Sequence, residues 1–314
     1  MAIARPLGGA RAGHKLGHVA LVEERWGLLF IMPWVLGFLI FTLGPMVFSL
    51  GLSFTKYEFP IAPRWVGLQN FVTAFTSDEL FPRTLGNTAY YVLFSVPLGL
   101  VGSLLLALLM DRKIAWRALW RTVYYVPSIV PVVVSAFLFG YLFQPEYGLI
   151  NGLLWTVGIQ GPGWFNSMQW VKPTLILLAL WGAGGGTMII FLAGLQNIPT
   201  ELYEAAEVDG AGRLRKFWNI TIPMLSPTIF FNLVTGIIGA FKVFTPAYVA
   251  TGGGPNYASY FYVLYLYNTA FSYMNMGYAS ALAWLLFVII MIFTVIQLRF
   301  ARRWVYYESE TAGF

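Results

Sequence analysis

Six long apolar runs constrain the fold of this chain more than any other feature of its sequence. A helix of about 20 mostly apolar residues crosses a bilayer core about 30 Å thick. The runs are continuous rather than alternating, which favours helices over the strands of a membrane barrel. The sequence therefore predicts an all-α membrane protein with six transmembrane helices. They cover roughly Trp26–Phe54, Thr84–Met110, Leu119–Phe143, Val171–Leu195, Leu225–Ala250 and Met276–Phe300.

The composition supports a lipid bilayer as the solvent for much of this surface. Of 314 residues, 58% are hydrophobic and 10% are charged, whereas soluble domains carry about 25% charged residues. The chain has no cysteine, so it offers neither a disulfide framework nor a thiolate metal site. A net charge of +6 would suggest nucleic acid only if the basic residues shared one soluble face. They lie in short connections instead, so no nucleic-acid partner is expected.

Lysine and arginine are distributed unevenly between the two sets of connections. Fourteen of the 19 lie in the N-terminal tail, at the C-terminal end, and at the connections between runs two and three and between runs four and five, with Arg121 and Arg299 counted at the ends of their runs. The alternate connections hold four, and the last is Lys242, inside the fifth run. Because cytoplasmic loops are enriched in basic residues, we expect both termini and the fourth connection in the cytoplasm.

The first 25 residues are expected to form a retained, disordered cytoplasmic tail, because no short apolar stretch precedes a small-residue cleavage site. His14 and His18 have a spacing that suits a metal on a helix. Gly13 and Gly17 disfavour a helix, so no metal site is expected. We assign residues 26–303 to the six-helix domain and residues 304–314 to a second cytoplasmic tail.

The outer connections contain one amphipathic segment. Leu68, Phe71, Val72 and Phe75 share a helical face. They either form an interfacial helix on the outer leaflet or pack locally against the spans.

The spans lack the acidic groups on which many carriers depend. No Asp or Glu occurs in the six runs, whereas proton- and sodium-driven carriers usually need intramembrane carboxylates or unwound helices. The chain also lacks a Gly-Lys pair, and therefore the phosphate-binding loop G-x-x-x-x-G-K-[ST]. We expect no enzyme activity and no cofactor, and any energy must come from another chain.

Two polar residues of the fifth run are candidates for a substrate path. Lys242 either lines a cavity or reaches water from a depth of about 12 Å. Asn232 suggests a pore or an interhelical hydrogen bond. The small residues Gly236, Gly239 and Ala240 on the same side favour close helix packing.

A third candidate, Gly185, belongs to the glycine-rich segment Gly182–Gly186 of the fourth run. Each glycine weakens a helix by up to about 1 kcal/mol relative to alanine. The segment favours a tight helix crossing, with an unwound stretch beside a substrate cavity as the alternative.

A charged island, residues 196–227, separates the fourth and fifth runs. Thr200 is expected to cap a helix, and Glu201 and Glu204 suit the positive end of its dipole. Glycines at positions 210 and 212 end this helix, and Arg213–Asn219 predicts a second, basic-aromatic helix. Prolines 223 and 227 are expected to mark the start of the fifth span.

The island matches the pattern E-A-A-x3-G-x9-I-x-L-P, with isoleucine at position 222 in place of leucine. The matching residues are Glu204-Ala205-Ala206, Gly210, Ile220 and Pro223. In this segment the chain resembles the membrane subunit of a binding-protein-dependent ABC importer. Further segments resemble the carbohydrate-uptake subfamily, namely Trp181-Gly182, Leu195–Pro199, Gly252–Pro255 and Met276–Ala281.

The resemblance covers about residues 26 to 303 and implies a type I importer permease fold in a bacterial or archaeal plasma membrane. It implies that Glu204, Ala205, Ala206, Asp209 and Gly210 form the docking site for an ATPase. The implied partners are a second, different permease chain, two ATP-binding subunits and an extracytoplasmic solute-binding protein. The implied cargo is a sugar or a related polyol, and the alternative is a stand-alone secondary carrier or channel.

Overall fold

The computed structural model describes residues 18–112 and 115–306, which are mostly helical. The chain divides into two compact units; the first ends at Gly51 and the second begins at Leu52. The α-helices in the described residues are α1 His18–Phe38, α2 Gly44–Ser53, α3 Gln69–Thr76, α4 Leu80–Asp111, α5 Arg117–Ile129, α6 Val132–Leu142, α7 Leu149–Thr156, α8 Val171–Trp181, α9 Gly186–Gln196, α10 Thr200–Val208, α11 Arg213–Lys216, α12 Ile222–Phe241, α13 Thr245–Thr251, α14 Tyr262–Tyr267 and α15 Met276–Ala301.

Short irregular elements connect some of these helices. Single π-helical turns extend the chain beyond α1, α11 and α14, and 3-10 turns occur at Trp164–Asn166 and Gly182–Gly184. A short hairpin, with two residues in each strand, pairs β1, Thr55–Lys56, antiparallel with β2, Arg64–Trp65. Apart from this hairpin and one isolated bridge, the described chain is all-α, as predicted.

Among the described residues, four helices are long and apolar enough to cross a membrane, and two bent pairs raise the number to six if each pair is one span. The first pair, α5 and α6, is bent by 95°, and the second, residues 171–196, is bent by 45°. The four continuous candidates are Arg25–Ser53, Leu80–Asp111, Arg213–Phe241 and Met276–Ala301. The six predicted runs therefore correspond to four continuous helices and two broken ones.

The first and fifth spans differ from their predicted boundaries. Helix α1 begins at His18, so the last eight residues of the predicted disordered tail are helical. His14 and the rest of the tail lie outside the described residues. The fifth span was expected to end at Ala250, but α12 ends at Phe241 and α13 follows as a separate helix.

The fifth span also begins earlier than the prolines suggested. Helix α11, a π-helical turn and α12 form one continuous helix from Arg213 to Phe241. Pro223 lies at the start of α12, directly after the π-helical turn Phe217–Thr221. Pro227 leaves the carbonyl of Pro223 without its backbone donor, and the Ser226 hydroxyl donates to that oxygen at 2.6 Å. The second island helix is therefore the first part of the span.

Buried apolar residues form two clusters. The island-side core joins α4, α9 and α12 through Met110, Met188, Phe191 and Leu225. The far-side core joins α4, α8, α14 and α15 and contains Tyr262, which is fully buried. Close approach of α9 and α12 in the island-side core requires a glycine, because a β-carbon at position 194 would lie 2.9 Å from Leu225 Cδ2.

One carboxylate ties three helices together beside the far-side core. Asp78 Oδ1 accepts the backbone N–H groups of Leu80 at 2.8 Å and Phe81 at 3.1 Å, and so caps α4. Its Oδ2 accepts the hydroxyl of Tyr265 from α14 at 2.5 Å and that of Tyr278 from α15. Burial, and then the hydrogen bond to Asp78, raise the pKa of Tyr265, so this phenol remains a donor.

We expect Asp78→Ala to destabilise the protein by about 2–4 kcal/mol, because it removes a helix cap and the acceptor of two phenols. Thermal unfolding of the purified protein in detergent measures the change. The matched control is Glu79→Ala, since the Glu79 side chain makes no capping hydrogen bond. Equal melting temperatures for the two variants would contradict this role of Asp78.

Candidate functional site

Helix α10 carries the Glu-Ala-Ala segment of the island. It begins at Thr200, with Pro199 in the N-cap position and no side-chain capping bond. The expected N-cap at Thr200 is therefore wrong by one residue. The extended ψ of 132° at Pro199 sets the direction in which the chain enters the helix. Glu201 lies in the first turn, where the dipole favours negative charge.

The end of α10 explains why a glycine occupies position 210. Gly210 has a φ of +74°, in the left-handed region that other residues avoid. Its N–H donates to Glu207 O at 3.0 Å, and the N–H of Ala211 donates to Ala206 O at 2.8 Å. These two bonds form a Schellman motif, which reverses the chain sharply after α10.

One face of α10 is fixed to the start of the fifth span. The hydroxyl oxygens of Tyr203 and Thr221 lie 2.9 Å apart, and Lys216 Nζ donates to Glu207 Oε1 at 2.5 Å. That hydrogen bond lowers the pKa of Glu207. Tyr203 and Ile220 also pack against the island-side core. Helix α10 is therefore joined to the long helix that continues through the membrane.

The opposite face of α10 is open to solvent. Glu204, Ala205, Asp209 and Gly210 are exposed, and Ala206 is half-buried. Two apolar side chains accompany them on α10: Leu202, and Val208, which is 89% exposed. A rigid surface with small, apolar and acidic side chains is suited to docking a separate protein.

A cavity of about 310 Å³ lies among α4, α8, α9 and α12. Asn232 lines it and is 4% exposed, with Nδ2 donating to Thr228 O at 2.9 Å. Gly236, Gly239 and Ala240 line the same cavity, so they share one side of α12 as predicted. A β-carbon at Gly239 would meet no atom within 4 Å, which shows that this glycine borders open space.

Sequence reasoning missed the contribution of α4 to this cavity. Ser95, Gly99 and Ser103 line it from successive turns, and Tyr91 lies one turn further. Ser103 Oγ donates to the carbonyl oxygen of Ala183 at 2.7 Å, beside the break in the fourth span. The signal was a stripe of small and polar residues at intervals of four within an apolar run.

The other two path candidates do not line this cavity. Gly185 lies at the break between α8 and α9, where a β-carbon would be 2.4 Å from Ser128 Cβ. The helix is broken at this segment, and α5 packs tightly against it. Lys242 was expected within a helix, but it follows the last residue of α12 and is exposed.

Comparison with known proteins places the chain in a family. Residues 95–306, which include the island and all the residues that line the cavity except Tyr91, match the family described as binding-protein-dependent transport system inner membrane component. The chain belongs to this family. Its members therefore share the segment in which α10 and the cavity lie, and the resemblance found in the sequence is confirmed.

Relatives of this family member are similar over most of their length. YesP of Bacillus subtilis (strain 168), a probable ABC transporter permease protein, is 46% identical over 287 residues, which are 90% of this chain and 93% of YesP. SmoG of Agrobacterium fabrum, a sulfoquinovosyl glycerol transport system permease protein, is 35% identical over 238 residues, which are 76% and 77% of the two chains.

A solved structure supports the same fold. A chain of a bacterial ABC transporter involved in the import of the acidic polysaccharide alginate superimposes with a TM-score of 0.80 at 27% identity. The match covers 91% of this chain and 98% of that chain. The predicted type I importer permease fold is therefore confirmed for this family member.

We expect Lys216→Glu to loosen α10, because it replaces the ion pair with Glu207 by repulsion between two carboxylates. Amide hydrogen exchange of residues 200–212 should become faster. The reversed pair, Glu207→Lys with Lys216→Glu, should restore slow exchange, since the interaction depends on opposite charge rather than on either residue. If the double variant exchanges as fast as the single one, the pair does not hold α10 in place.

Proposed function

We propose that this chain is the permease subunit of an ATP-driven importer and forms its translocation path for a sugar or a related polyol. The proposal depends above all on the exposed Glu-Ala-Ala helix, which is fixed to a continuous membrane helix. Its relatives are described as permease proteins, which supports ATP hydrolysis in a separate subunit. A docking surface joined to a membrane path is what a subunit driven by a separate motor requires.

We propose that Glu204, Ala205, Ala206, Asp209 and Gly210 dock into a cleft of an ATP-binding subunit. Small side chains allow close backbone approach, and the carboxylates offer charge complementarity to a basic cleft. The expected assembly contains two ATP-binding subunits, a second permease chain and an extracytoplasmic solute-binding protein. The description of the family as binding-protein-dependent supports the last of these partners.

The long fifth helix supplies a route from docking surface to cavity. From Arg213 to Phe241 it has 29 residues, or about 44 Å at 1.5 Å per residue. Its first turns hold α10, and its later turns carry Asn232 and Gly239 at the cavity wall. A displacement of α10 by the ATPase would therefore move that wall, which is the mechanical step of alternating access.

The cavity offers hydroxyl and amide groups in a largely apolar setting. Ser95, Ser103 and Asn232 provide donors and acceptors without charge, a chemistry that suits a neutral polyol. SmoG and the alginate transporter carry sugar-containing cargo by their descriptions. We propose Asn232 as a substrate contact. Gly185 and Lys242 lie outside this cavity, and we assign them no contact with substrate.

We expect Glu204→Lys and Gly210→Val to abolish coupling while the chain still inserts in the membrane. The first reverses a docking charge, and the second forces a β-branched residue into left-handed backbone. ATP hydrolysis stimulated by the loaded binding protein should fall on the order of tenfold or more in the reconstituted transporter.

Glu23→Lys is the control, since it makes the same charge change outside the docking surface. Normal stimulation in both island variants would refute the docking role. Uptake of solute by the purified chain without ATP-binding subunits would favour a stand-alone carrier instead.

The absence of cysteine allows a direct test of the proposed cytoplasmic island. We expect Val208→Cys, expressed without partners, to resist a membrane-impermeant maleimide in spheroplasts and to react after permeabilisation. Tyr147→Cys, at a residue 65% exposed in the connection between α6 and α7, should react in both conditions. The reverse pattern would place the island outside the cell.

A further inference from the structure

Arg121 on α5 has no partner for most of its guanidinium group. Its Nε and Nη2 atoms are buried and have no hydrogen-bond partner among the described residues. Arg117, one turn earlier, differs: its Nε donates to Met110 O at 2.6 Å, and its Nη2 lies 3.8 Å from Asp111 Oδ1. A buried donor without an acceptor is costly, and more so when it is charged. Arg121 therefore lacks an acceptor for these two groups among the described residues, and an anion at the guanidinium would offset its charge.

The space beside Arg121 is a groove between α5 and α9 with a volume of about 360 Å³. The polar residues that line it are Arg121, Thr122 and Tyr125, which lie within the first nine residues of α5. The remainder of the groove is apolar and includes Ile129, Met188 and Ile189. Two of these side chains also face outward, since Ile129 is 65% exposed and Ile189 is 45% exposed. The groove thus has one cationic end and an aliphatic body.

The position of Arg121 along the helix matches a headgroup region. Arg121 lies four residues, or about 6 Å, beyond the first residue of α5. Helix α5 starts beside the end of α4, and its later residues reach the break at Gly184 and Gly185. The arginine therefore lies near one end of the bent span, whereas the apolar body of the groove extends toward its middle.

We propose that this groove binds an anionic phospholipid, with the lipid phosphate on the Arg121 guanidinium and an acyl chain along Ile129, Met188 and Ile189. Basic pockets between membrane helices bind anionic headgroups, and a guanidinium pairs with phosphate through more than one N–H. A saccharide fits this groove poorly, because most of the wall offers no hydrogen-bond partner. Free phosphate would leave the aliphatic body unfilled.

The bound lipid would connect the two broken spans. Its phosphate would satisfy a donor on α5, while its acyl chain would cover apolar side chains of α9. A β-carbon at Gly184 would lie 2.1 Å from Tyr124 O, so α5 already touches the break between α8 and α9. The proposed lipid site is independent of the cargo. Its assignment to the inner leaflet rests on the orientation proposed above.

The test uses the purified full-length chain in detergent with phosphatidylglycerol as probe and phosphatidylcholine as the uncharged comparison. Native mass spectrometry measures bound lipid, and thermal unfolding measures stabilisation. We expect phosphatidylglycerol to bind and to raise the melting temperature. Arg121→Gln should weaken this binding about tenfold or more, because a charge-assisted contact is lost, and Arg121→Lys should retain part of it.

Two further variants separate the site from general charge attraction. Ile189→Trp fills the apolar body and should reduce binding while keeping the arginine. Arg302→Gln removes an exposed arginine elsewhere and should leave binding unchanged. If Arg121→Gln does not fold, the Arg121→Lys and Ile189→Trp variants still decide the question.

Several results would overturn the proposal. Equal binding of both lipids would exclude a phosphate-selective site, and full lipid binding by Arg121→Gln or Ile189→Trp would exclude this groove. Stabilisation by sodium phosphate alone, equal to that by phosphatidylglycerol, would show an anion site without a lipid chain. Loss of bound lipid when the companion permease is present would assign the groove to a subunit interface.

Discussion

The hydrogen bonding of the backbone within an apolar medium is the constraint on which the rest of this structure depends. In a bilayer, each N–H and C=O must find a partner inside the protein. The fifth span meets this requirement despite two prolines, because the Ser226 hydroxyl serves the carbonyl that Pro227 leaves without a donor. One helix can therefore run from the docking surface to the cavity wall. If the prolines ended the helix, as their usual behaviour suggests, α10 would be joined to the membrane domain by a loop that transmits no displacement.

The two ends of the second unit use different means to hold their helices. Beside the far-side core, one carboxylate, Asp78, accepts two backbone N–H groups and two phenols, so α4, α14 and α15 share a single polar centre. Beside the island-side core, packing predominates, and α9 approaches α12 closely at Gly194. The island adds a hydroxyl contact and the ion pair of Lys216 with Glu207, polar interactions that contribute little stability individually. Their value is orientation, because they fix the direction of α10 relative to the long helix.

Local features of this protein could be predicted from the sequence, whereas features made by several helices could not. Apolar run length predicted the spans, and Gly210 predicted the sharp turn, because each depends on neighbouring residues alone. The cavity was only half identified. Asn232 stood out as a polar residue in an apolar run, but Ser95 and Ser103 join it from α4 only through tertiary packing. The position of Lys242 was predicted wrongly for a related reason. The apolar sequence continues past Phe241, although the helix ends at that residue. Asp78 lay in a connection and gave no sign that phenols distant in the sequence would reach it.

The distribution of breaks among the spans indicates where conformational change can occur. Helix α4 and the Arg213–Phe241 helix are continuous, although α4 contains Pro97 and the second helix contains Pro227 and a π-helical turn, features at which helices commonly kink. The third and fourth spans are already bent, and the end of α5 meets the second break directly, with a β-carbon at Gly185 only 2.4 Å from Ser128 Cβ. This break lies next to Ser103 and Ala183 at the edge of the cavity. The glycines that weaken the fourth helix thus place a helix break in the cavity wall.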